Sequence, residues 1–190
     1  MSENQSAIRE AMQAWLKTAR MPCLPEWDAL PEFALYMDQV ILLLNQYLYQ
    51  DEDERALTPA MINNYIKSRI IPSTIRKKYY RYHLAGLMII CILKESISIG
   101  DIPRLLPHLD TEEGIREAYE TFRSIYGSTS KDFMTFVDSA SKECLAPEND
   151  HPECFVLRLA VAANLSQTMA NRMISLTSQP CQAENKKPKD

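Results

Sequence analysis

The sequence predicts a mainly α-helical protein, with a helix-turn-helix, a short β-hairpin wing and additional C-terminal helices. Three observations carry that prediction. Apolar residues recur at helical spacing along most of the chain. Only 4 of 190 residues are glycine, so few turns can use left-handed backbone freely. One stretch, 73–82, instead gathers β-branched, aromatic and basic residues, the composition of a short hairpin.

Taken in order, Ile8, Met12, Trp15 and Leu16 form the stripe of a first amphipathic helix over 7–19. Prolines 22 and 25 break it. Pro31 suits a second helix start, because its missing N–H falls in the first turn. That helix runs through Leu35, Val40, Leu44 and Leu48, followed by a solvated charged connector at 51–55. Thr58-Pro59 combines a capping hydroxyl with proline at the first helical position, and opens a helix to about Ser68. Pro72 requires an end near Ile71. After the hairpin come helices over 83–95 and 98–106, the latter with Ser98 and Asp101 as a capping pair. A helix opened by Glu112 and Glu113 carries Ile115, Tyr119 and Phe122 and is expected to stop at Gly127. Two more follow over 130–145 and 153–176. The polar, lysine-rich end reads as a disordered tail. The chain thus divides into an N-terminal helix and connector (1–30), a helix-turn-helix unit (31–108), a helical region (109–179) and a tail (180–190).

The net charge is −4, yet residues 57–108 hold eight basic and two acidic residues, a local +6 that leaves −10 for the rest. Such asymmetry is an electrostatic footprint of a polyanion partner. On a helical wheel of 58–70, Met61, Ile62, Tyr65 and Ile66 share one side. Ala60, Asn63, Asn64, Lys67 and Ser68 share the other. An asparagine amide can pair with an adenine edge, and a lysine can reach guanine acceptors or phosphate. Thr58 and Ala60 are small enough to let the helix approach a groove closely. Behind them, Arg76, Lys77, Lys78 and Arg81 can neutralise phosphates, and the Tyr79 hydroxyl can bond a phosphate oxygen. These ten residues form the expected DNA-contacting set.

The order of these motifs resembles the MerR type of winged helix-turn-helix. Thr58-Pro59, Tyr65 and Ile70-Ile71-Pro72 come first, then Lys77-Lys78-Tyr79. Leu84, Leu87, Ile90 and Leu93 follow, and Ser98 to Leu106 closes the series. The wider chain also resembles the bacterial domain-of-unknown-function family 1836, through residues 35–40, the Thr58-to-Tyr65 helix and His83-Leu84-Ala85. The resemblance implies a helix-turn-helix and no established activity. Arg69 stands where the MerR type usually has glycine, and Asn63-Asn64 replace a common Arg-Tyr. No long coiled-coil helix is expected after Leu106.

Other classes find little support. The longest apolar run, ten residues at 84–93, is about half what a bilayer span needs. The N-terminus lacks a basic start followed by an apolar stretch, so no signal peptide is expected and the chain is placed in the cytoplasm. The five cysteines lack metal-ligand spacing and read as free thiols. His83, His108 and His151 sit apart, and neither a glycine-rich phosphate loop nor a nucleophile motif occurs. The expectation is therefore a non-enzyme without metal or cofactor, acting as a homodimer on double-stranded DNA as a sequence-specific regulator. The alternative is a protein-interaction adaptor that keeps the scaffold without reading DNA. Helix bundles can host an effector pocket, but no residue pattern here indicates one.

Overall fold

A computed structural model describes residues 3–49, 57–149 and 151–177. The expected connector at 51–55 and tail at 180–190 lie outside the described residues. Helix α1 (Glu3–Thr18) is followed by a 3-10 turn (Trp27–Ala29), α2 (Met37–Leu48) and α3 (Pro59–Lys67). Then come α4 (Arg81–Leu93), the single turn α5 (Ile102–Leu105), α6 (Glu112–Cys144) and α7 (Glu153–Thr177). Among the described residues no helix is long and apolar enough to cross a membrane.

Helix α4 is the hub. Every residue from Tyr82 to Cys91 is buried, as expected for a helix apolar on all sides. Helices α2, α3 and the first half of α6 pack around it. Gly86 permits this closeness, since a Cβ there would lie 2.6 Å from Ile71 Cγ2. Tyr119 of α6 is fully buried, stands at 6.2 Å from the Trp27 ring, and donates its hydroxyl to Pro25 O at 2.8 Å. Burial pushes that hydroxyl well above its ordinary pKa, which keeps it a neutral donor.

A second core cluster forms where α6 and α7 meet. Val137, Ala140, Cys144, Leu145 and Phe155 are buried there, with Met12 and Leu16 of α1 packed against them. Gln13 fastens α1 by donating to Leu145 O at 3.2 Å, and buried Arg9 donates to Asn149 O.

Four expectations need correction. Gly127 does not end a helix: α6 runs unbroken through it for 33 residues. One mid-helix glycine costs only about 1 kcal/mol, and core contacts on both sides of it outweigh that. A long helix therefore does follow Leu106. Helix α2 starts at Met37 rather than at Pro31, because the Leu35 backbone is engaged elsewhere. It exchanges hydrogen bonds with Tyr79, N to O at 2.8 and 2.9 Å. The stretch 98–106 keeps only α5, and Ser98 donates to the Asp101 carboxylate at 2.7 Å instead of capping a helix.

Finally, the β-hairpin wing does not form. Among the described residues there are only two isolated antiparallel bridges, Leu35 with Tyr79 and Ile75 with Lys78. The second closes a four-residue turn, with Lys78 N donating to Ile75 O at 3.0 Å. Tyr80 already caps α4, so too few residues remain between turn and helix for a ladder.

Candidate nucleic-acid interface

Helix α3 begins where Thr58 Oγ1 accepts from Met61 N at 3.4 Å, with Pro59 at the first position. The strand-like entry to it is tied to α2 by Leu57 N donating to Asn45 Oδ1 at 2.9 Å. Ile62 and Tyr65 are buried and Met61 and Ile66 half-buried, so this face packs on the core. Burial raises the pKa of the Tyr65 hydroxyl, which lies close to Lys94 near the end of α4. Anchored so, α3 leaves Thr58, Ala60, Asn63, Asn64 and Lys67 exposed on its outer face.

The exit from α3 is sharp. Ser68 Oγ donates to Tyr65 O at 2.6 Å, and Arg69 takes a left-handed φ of 56°. Arginine thus occupies a position that favours glycine. Arg69 is exposed and adds a cation at the end of the reading helix that the ten-residue set lacked. The sequence signal was its place between the last helical turn and Pro72.

Arg76 and Lys77 form the two centres of the next turn, with φ of 52° and 62°. Both are exposed. Lys78 is half-buried, its ammonium 5.7 Å from the centre of the Tyr36 ring. Buried His83 holds the base of this segment. Its Nδ1 accepts from Tyr80 N at 3.0 Å, so Nε2 carries the proton, 3.4 Å from Ser73 O.

Tyr79 and Arg81 are placed elsewhere. Tyr79 is 4% exposed, and its hydroxyl points to Met37 Sδ at 3.7 Å, away from any phosphate. Arg81 faces inward to the 27–32 segment. It pairs with Asp28 at 3.3 Å and Glu32 at 3.1 Å, donates to Leu30 O at 3.1 Å, and lies over the Trp27 ring. Two carboxylates neutralise it, so it holds the fold instead of a polyanion.

The arrangement therefore joins a polar helix face, with amides and one ammonium, to an exit and turn bearing exposed cations. No cluster of His, Cys, Asp and Glu suited to a metal occurs among the described residues. Neither the curated proteins nor the solved structures yield a match to the chain. One family model does match, across residues 25–126, which includes α2 to α5 and the first part of α6. That span exceeds half of the chain, and the protein belongs to the family described as Domain of unknown function (DUF1836).

Proposed function

We propose that this protein is a sequence-specific DNA-binding transcription regulator whose α3 is the reading helix of a MerR-like helix-turn-helix. The observation that carries the proposal is the two-faced α3: Ile62 and Tyr65 locked in the core, Asn63, Asn64 and Lys67 held outward. A reading helix needs both properties, since base edges are contacted by side chains whose helix is rigidly placed. Asn63 and Asn64 supply base-reading amides, and Lys67, Arg69, Arg76 and Lys77 supply phosphate contacts. The turn at 75–78 does the backbone-binding task of a wing. Such a regulator works in the cytoplasm as a homodimer, with two copies of α3 on half-sites about one helical turn apart.

Fluorescence anisotropy with duplex DNA fragments tests this. Affinity should fall linearly with salt on logarithmic axes, and Lys67→Ala with Arg76→Ala and Lys77→Ala should lower the slope by about 2–3, at roughly 0.9 per phosphate contact. Asn63→Ala should reduce discrimination between sites by about 1–3 kcal/mol and leave the slope intact. Absence of duplex binding at low salt, or a slope untouched by the triple change, overturns the proposal.

One observation favours the adaptor reading instead. Phe33, Tyr36 and Ile75, in and near the turn region, are all more than half exposed, and aromatic anchors beside cations suit a protein partner. A stoichiometric protein partner lost on Phe33→Ala, together with no duplex binding, would establish that reading.

A further inference from the structure

We propose that Cys144 and Cys154 are a thiol pair that closes to an intramolecular disulfide at the corner between α6 and α7, a modification site that sets how firmly this corner is held. The proposal stands apart from the DNA reading above, since no residue of α3 or of the turn at 75–78 takes part.

Cys144 is the last residue of α6 and Cys154 the second of α7. The segment between them folds back, with Asn149 N donating to Ala146 O and Cys154 N to His151 O, both at 3.0 Å. That return sets the Cys154 sulfur 4.0 Å from Cys144 O, and the two thiols hydrogen-bond each other. A disulfide needs Cα atoms within about 7 Å and Cβ vectors that face each other. Thiols in contact across a helix corner face each other already, so side-chain rotation with a small backbone adjustment closes the bond. Cys91 is a poor competitor: it is buried in α4, and burial pushes its thiol up to about 12.

The two thiols differ in access, which fixes the order of the chemistry. Cys144 is 3% exposed, sealed in the second core beside Val137 and Phe155. Cys154 is half-buried and lines an open apolar groove of about 460 Å³. Asn149 Nδ2 donates to its sulfur at 3.6 Å, and the Arg158 guanidinium lies beside both cysteines. A cation and a donor favour the thiolate that does the attacking. Burial opposes them and holds Cys154 above the ordinary thiol range, so exchange at neutral pH is slow.

The oxidant is a small disulfide such as oxidised glutathione. Cys154 loses its proton and attacks one glutathione sulfur. The S–S bond breaks, and the first glutathione leaves and takes up that proton. Cys144 then loses its proton and attacks the Cys154 sulfur of the mixed disulfide. The second glutathione leaves and takes up this proton. Two protein thiols are oxidised and one small disulfide is reduced to two thiols. The new bond closes the segment that seats α1, because Gln13 donates to Leu145 O and Arg9 to Asn149 O, both between the cysteines.

The test uses the full chain carrying Cys23→Ser and Cys181→Ser, folded and treated with oxidised glutathione. Non-reducing peptide mass spectrometry should find the Cys144–Cys154 linkage as the main product, reversed by dithiothreitol. Adding Cys144→Ser should stop the reaction at glutathione on Cys154. Adding Cys154→Ser should leave Cys144 a free thiol, with circular dichroism verifying both folds. Calorimetry of the bridged chain should show a Tm higher by about 5–10 °C, lost again on reduction. A folded chain that links these cysteines no more often than the urea-unfolded chain overturns the pair. Glutathione on Cys144 in the Cys154→Ser chain overturns the order of attack. A bridged chain with an unraised Tm overturns the role at the corner.

Discussion

Two consecutive left-handed residues that are not glycine make the turn at 75–78 an energetic anomaly with a measurable consequence. Positive φ at both central positions defines the type I′ turn, for which Asn-Gly is the favoured sequence. Here those positions hold Arg76 and Lys77, with φ of 52° and 62°. A left-handed residue other than glycine costs roughly 1–2 kcal/mol. Both side chains are exposed and have little packing to lose. Asn tolerates the region better than Arg, and Gly removes the penalty, so Arg76→Asn with Lys77→Gly should stabilise the fold by about 1–2 kcal/mol. For a chain of 190 residues that is about 2–8 °C in Tm, at 2–4 °C per kcal/mol. The same change removes two cations and should lower the salt slope of DNA binding by about 1.8. A control, Arg76→Gln with Lys77→Gln, removes the charges and keeps the strain. It should lose the slope without the full gain in Tm. Differential scanning calorimetry and anisotropy read the two effects separately. A Tm equal to or below that of the unmodified chain would refute the strain argument. A raised Tm with unaltered DNA binding would show that the turn's cations serve something other than phosphate.

The glycines give opposite predictions. Nothing lies within 4 Å of a Cβ placed on Gly127, so Gly127→Ala should stabilise α6 by about 0.5–1 kcal/mol in urea titration. At Gly114 the added Cβ would stand 2.1 Å from His108 O, a backbone atom, and Gly114→Ala should destabilise by more than about 2 kcal/mol. His83 makes stability pH-dependent. Burial lowers its pKa below 6.5, so the unfolded chain takes the proton first as pH falls. Its contribution is complete above about pH 6.5 and is lost progressively below it, down to the lowered folded value. Urea midpoints followed across that window should fall, and His83→Asn, which keeps an acceptor for Tyr80 N–H, should flatten this part of the profile.

The reading helix was legible because its signals are local. Thr58-Pro59 marks the start, and the alternation of Ile62 and Tyr65 with Asn63, Asn64 and Lys67 sets the faces. The observed helix Pro59–Lys67 lies inside the expected 58–68. What failed depended on distant partners. Tyr79 and Arg81 look like their basic neighbours in sequence, but Leu35 and Met37 capture the first and Asp28 and Glu32 the second. Those partners lie some forty to fifty residues away, beyond any local pattern. The expected hairpin fails for a related reason: Tyr79 pairs with distant Leu35 and Tyr80 already caps α4, so the Ile75–Lys78 bridge is not extended into a ladder. Gly127 misled differently. Its local preference is real, but α6 is held on one side by Tyr119 and Phe122 and on the other by Val137 and Ala140, and tertiary packing overrides a penalty of about 1 kcal/mol.

The net charge of −4 bears on function through its distribution, not its sum. If α3 reads duplex DNA, the acidic surplus outside residues 57–108 repels the phosphates from nearly every other approach. The exposed cations Lys67, Arg69, Arg76 and Lys77 then offer the phosphates a favourable approach at α3 and the turn. Arg81, Lys94 and Arg104 contribute less, because each is already paired with a carboxylate. Raising salt should therefore release DNA as counterions recondense, with a slope set by those four exposed cations. A complex whose affinity did not change over that salt range would show that charge does not hold the duplex.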